Sequence, residues 1–183
     1  GVSSEAYDFK DIKDAIVTPT PRRIFALAKA FQMGMTVDEV FELTKIDRFF
    51  LYEIERIMKM ETEIKGRKLG DINEEEMRSI KRAGFSDKGV SKLLKSSEEE
   101  VRKHRQILGI RPYLSQIDTL AAEYPAETNF LYLTYANSQS DLQPSSKKKV
   151  MVLGSGCYRI GASVEFDWCG VSSVKAAEEL GYE

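Results

Sequence analysis

The glycines between positions 154 and 161 come closest, by type and spacing, to a chemical motif. Gly154 and Gly156 directly follow a short apolar run, Val-Met-Val-Leu at 150–153, and Gly161 comes five residues later. A buried strand, a glycine-rich turn and a helix form the unit in which backbone amides bind nucleotide phosphates. Position 159 is Arg where the dinucleotide motif has its third glycine, and no Gly-Lys-Ser/Thr sequence of a Walker loop is present. The pattern favours a tight turn without a ligand, and a phosphate site is the alternative that stays open.

The other reactive side chains stand alone in the sequence. His104 is the only histidine and lies in a predicted helix, with no serine or cysteine nucleophile motif beside it, so a structural role is favoured. Cys157 and Cys169 are twelve positions apart, a spacing that fits neither a disulfide framework nor a zinc knuckle. We therefore expect no catalytic residue, no cofactor site and no metal site within this chain.

Charge and hydropathy exclude several classes of partner. The chain of 183 residues has 27 basic and 29 acidic side chains, a net charge of −2, and this balance does not favour nucleic acid or an anionic membrane. No apolar run approaches the ~20 residues of a membrane span, and the cysteine content is typical of a reducing compartment. We expect an intracellular protein without nucleic acid or membrane partners. The acidic runs 74–76 and 98–100 are assigned to helix starts, and the lysines at 147–149 to the end of a solvated linker.

The elements that hold these residues are mostly helices. Between residues 21 and 109, capping residues and glycines alternate regularly, which predicts consecutive short helices. Thr36 with Glu39, and Ser97 with Glu100, have the spacing of capping boxes, in which each side chain accepts from the other residue's backbone N–H. The predicted helices are residues 21–33, a long helix after Asp47, and residues 73–83, 86–95 and 97–108, with Gly34, Gly66, Gly84 and Gly109 past helix ends.

Apolar spacing predicts which helix faces are buried. In the first helix, Ile24, Leu27, Ala28 and Phe31 recur at helical spacing and form the predicted inner face. The long helix has an inner stripe that three further apolar residues widen, so we expect it to pack on more than one side. The stripe consists of Phe50, Ile54, Ile57 and Ile64, and the widening residues are Phe49, Leu51 and Met58.

The composition changes after residue 112. Residues 130–135 are rich in aromatic side chains and are predicted to be extended, whereas residues 137–149 have the polar composition of a linker. We therefore place a domain boundary between residues 146 and 147. Beyond it, the apolar run is predicted to be a strand buried on both faces, followed by the glycine turn and a helix over residues 163–180.

The second domain is predicted to be incomplete. A parallel strand needs a neighbour, which is absent unless residues 130–135 pair with 150–153 or two chains pair with each other. The lack of an initiator Met also favours an internal segment of a longer protein. The predicted fold is mainly α. It has a compact multi-helix domain with an extended connector over residues 1–146, and one strand-turn-helix unit of a truncated α/β domain over residues 147–183.

Four segments of the sequence resemble one enzyme family. Residues 150–169, which read Val-Met-Val-Leu-Gly-Ser-Gly-Cys-Tyr-Arg-Ile-Gly-Ala-Ser-Val-Glu-Phe-Asp-Trp-Cys, closely resemble the start of the second synthetase half of the carbamoyl-phosphate synthetase large subunit, in its eukaryotic-like form. Three upstream segments resemble the same family in the same order: Leu-Thr-Lys-Ile-Asp-Arg-Phe-Phe-Leu from Leu43, Ala-Gly-Phe-Ser-Asp-Lys from Ala83, and Gln-Ile-Asp-Thr-Leu-Ala-Ala-Glu-Tyr-Pro from Gln116. The resemblance thus covers nearly the whole chain.

The resemblance implies a non-catalytic role. In this family a helical oligomerisation domain lies between two ATP-grasp synthetase halves, and the tail of this chain would open the pre-ATP-grasp part of the second half. The parent enzyme would be an ATP-dependent carbon-nitrogen ligase. It would make carbamoyl phosphate from bicarbonate, glutamine-derived ammonia and two ATP, for pyrimidine or arginine synthesis. Its ATP and Mg²⁺ (or Mn²⁺) ligands would lie in the ATP-grasp domains, outside this chain.

The resemblance also implies partners and a location. These are the flanking synthetase halves, a second copy through self-association, and a glutamine amidotransferase subunit or domain, in the cytoplasm or a mitochondrion. The hypothesis from a different class is an independent nucleotide-binding protein that uses the turn at 154–161. Six residues match the family's glycine-turn segment and are expected to shape the domain edge beside the second active site: Gly154, Gly156, Arg159, Gly161, Glu165 and Asp167.

Overall fold

The computed structural model describes residues 7–125, 130–142, 145–153 and 164–183, with the backbone alone for 164–167. Within these ranges the fold is mainly α, as predicted, and its contacts divide the chain into two units, Gly1–Asp141 and Leu142–Glu183. The predicted boundary after residue 146 stays a prediction. The helices are α1 (Ile12–Val17), α2 (Arg23–Gln32), α3 (Val37–Thr44), α4 (Arg48–Ile64), α5 (Glu74–Arg82), α6 (Asp87–Leu94), α7 (Glu98–Ile107) and α8 (Val164–Glu179). The strands are β1 (Tyr113–Gln116) and β2 (Leu131–Thr134).

Helices α1 to α4 surround a first hydrophobic core. Helix α2 is its centre, because it packs against α1 on one side and α4 on another. Leu27, Ala28 and Phe31 are buried as predicted, but Ile24 is exposed, and Ala26 and Ala30 are buried instead. The reason is that α2 packs against several helices and therefore buries more than one face. On its second face the small alanine side chains allow neighbouring helices to approach closely, and a single amphipathic stripe does not predict this face. The prediction for Ile24 is therefore wrong.

Helix α4 joins the first core to a second one. Leu51 and Met58 lie in the first core and Ile64 in the second, while Ile54 and Ile57 pack against the first core partly buried. The long helix therefore packs on more than one side, as its apolar width predicted. The assignment of Phe50 to the inner face is wrong, because 59% of this residue is exposed.

The second core lies among α4, α5, α6 and α7. Its buried residues come from all four helices and from the segments beside them, and Tyr135, just after β2, packs against it. A turn of 3-10 helix at Leu69–Asp71 contacts α7 and leads into α5. The second core consists of Ile64, Ile72, Met77, Ile80, Val90, Leu94, Val101 and Ile110.

The predicted helix ends are confirmed. Thr36 with Glu39 and Ser97 with Glu100 form complete capping boxes, and Asn73 with Glu76 forms a third that the sequence analysis did not identify. Four predicted glycines have positive φ values, which only glycine adopts without strain. They are Gly34 (89°), Gly66 (79°), Gly84 (90°) and Gly109 (72°).

The connector contains an antiparallel hairpin. Strand β2 confirms the extended segment predicted at 130–135, and its partner is β1, with Tyr113 opposite Thr134 and Gln116 opposite Leu131. Strand β1 itself was not predicted, because its four residues show no clear alternation of apolar and polar side chains. The suggested pairing of residues 130–135 with 150–153 stays a prediction.

In the second unit, α8 confirms the helix predicted over residues 163–180. Residues 150–153 form no regular strand and are not buried on both faces, since Met151 and Leu153 are largely exposed, so the prediction of a buried strand is wrong. Within the described part of this unit, Glu183 is the only residue whose backbone forms a hydrogen bond with residues 150–153. Glu183 N donates to Lys148 O and Val150 N donates to Glu183 O, both at 2.9 Å, the pattern of one parallel bridge between Lys149 and Glu183. After α8 the chain thus returns parallel to the apolar run.

Candidate functional site

The six residues of the glycine-turn segment remain predictions. Gly154, Gly156, Arg159 and Gly161 lie outside the described residues. Glu165 and Asp167 belong to the first turns of α8, and only their backbone is described.

The isolated reactive residues have the structural environments that their sequence context favoured. His104 is half-buried on α7, and its Nε2 donates to the carbonyl oxygen of Ile72 at 2.8 Å, which ties α7 to the segment before α5. Cys169 is a free, exposed thiol on α8, whereas Cys157 lies outside the described residues. Over the described ranges, no group of three His, Cys, Asp or Glu residues is placed to hold a metal ion. No helix in the same part of the chain is long and apolar enough to cross a membrane.

Three largely buried charged residues, Lys81, Asp87 and Arg105, form an ion cluster beside the second core. Asp87 begins α6 and is nearly enclosed. Lys81 Nζ, from α5, lies 2.8 Å from Asp87 Oδ1 and donates also to the carbonyl oxygen of Phe85 at 2.6 Å. Arg105 Nε, from α7, lies 2.9 and 3.0 Å from the two Asp87 oxygens. The ion cluster therefore holds three helices together.

Electrostatics explain why Asp87 is charged at this position. Burial on its own raises the pKa of a carboxyl group, but hydrogen bonds from Lys81 and Arg105, together with their positive charges, outweigh this effect and lower the pKa of Asp87.

The ring of Tyr135 lies 5.0 Å from Lys81 Nζ and 5.8 Å from Arg105 Cζ, and burial raises the pKa of its hydroxyl. Arg82 Nη2 donates to Ala136 O at 2.9 Å. These contacts attach the end of β2 to the helices.

An aromatic surface lies on the outer side of α4, near its start. Phe49 is 67% exposed, Phe50 59% and Tyr52 53%, and the Phe49 and Phe50 rings meet edge to face with centroids 5.3 Å apart. We call Phe49, Tyr52, Glu53 and Arg56 the α4 face, because their spacing of three and four residues places them on one side of a helix. Large exposed aromatic side chains on a rigid helix are typical of a protein interface.

A second apolar surface lies on the hairpin. Phe130, Leu131, Tyr132 and Leu133 are all exposed to a large extent, so the described residues leave both sides of β2 uncovered. A two-stranded hairpin is marginally stable alone, and here the end of β2 is held by the contacts of Tyr135 and Ala136. The sequence analysis identified the extended segment but not this exposure, because the neighbours of a strand decide which side is covered.

These features define a class of protein: a helical unit with exposed aromatic side chains, followed along the chain by a short hairpin and by a second unit with one described helix. Residues 1–109 match the family model described as carbamoyl-phosphate synthetase large chain, oligomerisation domain. Residues 146–183 match the carbamoyl phosphate synthase preATP-grasp domain. The chain therefore belongs to the carbamoyl-phosphate synthetase large-chain family, which confirms the resemblance found in its sequence.

Relatives of this family match nearly the whole chain. It is 45% identical over 171 residues to the mitochondrial carbamoyl-phosphate synthase [ammonia] of Mus musculus, which covers 93% of the chain and 11% of the relative. It is 45% identical to the mitochondrial arginine-specific large chain of Schizosaccharomyces pombe, over 97% of the chain and 15% of the relative. It is 40% identical to the large chain of Neisseria meningitidis, over 100% of the chain and 17% of the relative. The chain thus spans less than a fifth of each of these proteins.

Proposed function

We propose that this chain is a non-catalytic oligomerisation and scaffold segment of a carbamoyl-phosphate synthetase. The observation that carries the proposal is that residues 1–109 match the oligomerisation domain and fold as a helical unit whose two cores share α4. The match of the following residues to the preATP-grasp domain supports a segment that connects the two synthetase halves. Exposed aromatic side chains on α4 provide the surface that association requires.

The activity of the whole protein is part of the same proposal. It would be an ATP-dependent ligase that makes carbamoyl phosphate from bicarbonate, ammonia and two ATP, with ATP and Mg²⁺ (or Mn²⁺) bound outside this chain. The mouse relative is named for ammonia and the fission yeast relative is arginine-specific. For this protein we propose ammonia derived from glutamine and a product used for arginine or pyrimidine synthesis.

The proposed partners follow from the same assignment. They are the synthetase halves on either side, a second copy of the chain, and a glutamine amidotransferase subunit or domain. Two relatives are named large chains, which supports a smaller partner chain. Two relatives are named mitochondrial and one is bacterial, which supports a mitochondrial or cytoplasmic location.

For the glycine-turn segment we propose a structural role beside the second active site. Residues 154, 156, 159, 161, 165 and 167 all lie inside the match to the preATP-grasp domain. This match supports a domain edge within a synthetase. We do not retain the hypothesis of an independent nucleotide-binding protein.

Two measurements on this chain test the proposal. Purified chain should hydrolyse no ATP and form no carbamoyl phosphate with bicarbonate and ammonia, under conditions in which a complete synthetase does both. Sedimentation velocity over a wide range of protein concentration should show reversible self-association. ATP turnover that persists through purification and scales with the chain would refute the non-catalytic role, and a monomer at every concentration would refute self-association.

A further inference from the structure

We infer that the hairpin belongs to a strap that detaches from the helices as one body, with Tyr135 as its latch and residues 111–112 as its hinge. The strap consists of β1, β2 and residues 135–141, which follow β2. The structure shows the attached state, and in the detached state the helices and the ion cluster stay folded. The inference goes beyond the proposed function, because it concerns the conformation of this chain and holds with or without self-association.

The strap is held together by its own hydrogen bonds. Residues after β2 cover the edge of β1 that β2 leaves open: Asp141 N donates to Leu114 O at 2.9 Å, and Asp141 Oδ2 accepts from Gln116 N at 3.0 Å. Asn137 Nδ2 donates to Ser115 Oγ, and Ser115 is buried. All these contacts are internal to the strap, so they do not have to break when it detaches.

The contacts that attach the strap to the helices lie at its base. The apolar side chains of β2 are exposed, and neither strand packs extensively against a helix. The strap is held where β2 ends, by the ring of Tyr135 against the second core and by the hydrogen bond from Arg82 Nη2 to Ala136 O. The base therefore determines whether the strap is attached.

The position of Tyr135 suits a latch. Its ring packs against the second core from outside and is not one of the buried residues that form this core, so its withdrawal leaves those residues in place. The last of them is Ile110, and residues 111–112 separate it from β1. Arg105 Nη1 donates to Ile110 O at 3.2 Å, which fixes the chain on the helical side of these two residues. A few residues between two bodies suffice for a hinge.

The charge balance at the latch permits detachment. Lys81 and Arg105 face the ring of Tyr135, but both cations are also bound to Asp87. When the ring leaves, neither cation loses its counter-charge, and the high cost of an unpaired buried charge is avoided. The contact between a cation and an aromatic ring is itself a modest interaction where water has access. Release of the strap is therefore less costly than unfolding of the helices.

The first experiment measures the position of the strap. In the full chain with Cys157 and Cys169 replaced by Ser, spin labels are attached through Leu133→Cys on β2 and Lys92→Cys on α6, since both positions are exposed. Pulsed electron paramagnetic resonance should show one narrow distribution of distances between the labels. Tyr135→Ala should raise the population at other distances about tenfold or more, because the burial of one aromatic ring is lost. Far-UV circular dichroism should show unchanged helical content.

Two further substitutions serve as controls. Tyr135→Phe should keep the narrow distribution, because the ring and not the hydroxyl makes the contacts with the cations. Tyr132→Ala removes an exposed aromatic ring from β2 itself and should also keep it. If Tyr132→Ala broadens the distribution as much as Tyr135→Ala, the strap frays internally and the latch is refuted. Loss of helical content in Tyr135→Ala would show that the ring is part of the core, which also overturns the inference.

Hydrogen exchange in the unmodified chain tests the inference without any substitution. Ile117 N donates to Phe130 O beside the hairpin, and Val101 N donates to Ser97 O in α7. After correction for intrinsic rates, the Ile117 amide should exchange about tenfold faster or more, through an opening that depends less on denaturant, because it exposes less surface. If both amides exchange through the same opening, the strap leaves only when the helices unfold, and the inference is overturned.

Discussion

Among single residues, Asp87 connects three helices, because it begins α6 and contacts α5 and α7. It receives hydrogen bonds from Lys81 of α5 and Arg105 of α7, and both cations face the ring of Tyr135. Removing water from three charged groups is costly, and only their mutual hydrogen bonds offset the cost. The ion cluster therefore contributes more to specifying how the helices meet than to net stability.

Replacement of Asp87 tests this interpretation. Asp87→Asn should lower the free energy of unfolding at neutral pH by about 3 kcal/mol, because Lys81 and Arg105 would stay enclosed without a counter-charge. Urea unfolding followed by circular dichroism measures the change. The control is Glu74→Gln, which removes an exposed pair with Arg78 and should leave the unfolding curve almost unchanged.

The stability of the original chain and that of Asp87→Asn should depend differently on pH. The folded-state pKa of Asp87 lies below the value of ~3.9 for an unfolded chain. The stabilisation by its carboxylate is therefore complete above that value and is lost as the pH falls through the folded-state pKa. The difference between the original chain and Asp87→Asn should stay constant down to about pH 5 and shrink below about pH 4. A difference that persists unchanged at lower pH would contradict a role of the charge.

At the scale of elements, short helices are defined mainly by their ends. Three complete capping boxes begin α3, α5 and α7, and left-handed residues follow most helices. Glycines provide this conformation after five helices, but α3 and α6 end at Lys45 and Lys95, with φ values of 54° and 52°. A side chain at such a position carries strain that glycine avoids. The helix ends are therefore the positions at which single substitutions have predictable effects.

Two glycines provide a matched comparison. Gly84→Ala should lower the free energy of unfolding by about 1–2 kcal/mol, because φ at Gly84 is 90° although no atom lies within 4 Å of the added methyl group. Gly70→Ala, where φ is outside the left-handed range and the methyl group also meets nothing within 4 Å, should have little effect. Thermal unfolding of the two variants measures both changes. Equal losses of stability would indicate that backbone strain at Gly84 is not the cause.

At the scale of the whole molecule, α4 joins two cores, and the chain divides after Asp141. Leu51 and Met58 connect α4 to the first core and Ile64 connects it to the second, so the two cores should unfold together. Tyr135 and Ala136 bind the hairpin to the second core. Residues 142–183 form the other unit. The helical unit with its hairpin is therefore expected to be autonomous.

Truncation tests this autonomy. A chain of residues 1–141 should unfold with the same midpoint temperature as the full chain. Removal of the hairpin as well, in residues 1–111, which retain Ile110, should lower the midpoint by about 5 °C or more, because the second core loses Tyr135 and the contact between Arg82 and Ala136. If residues 1–141 already melt at a clearly lower temperature, the helical unit depends on the tail.

The sequence by itself determined the limits of most helices, two of the three capping boxes and the family, whereas α1 lies before the predicted helical range. Capping boxes, glycines and apolar spacing act within a few residues of one another, so they can be interpreted without the fold. The family was evident from four contiguous segments, and the comparisons confirmed it.

Only the tertiary structure decided which faces are buried and which distant residues meet. Helical periodicity predicts that α4 has an apolar stripe but leaves its rotation open, and contacts with α2 and α3 select Leu51 and Met58 over Phe50. The ion cluster brings Lys81, Asp87 and Arg105 together from three helices, and β2 pairs with β1 although the two strands are not adjacent in the sequence. Such contacts depend on how elements pack, a property of the whole fold that no local pattern contains.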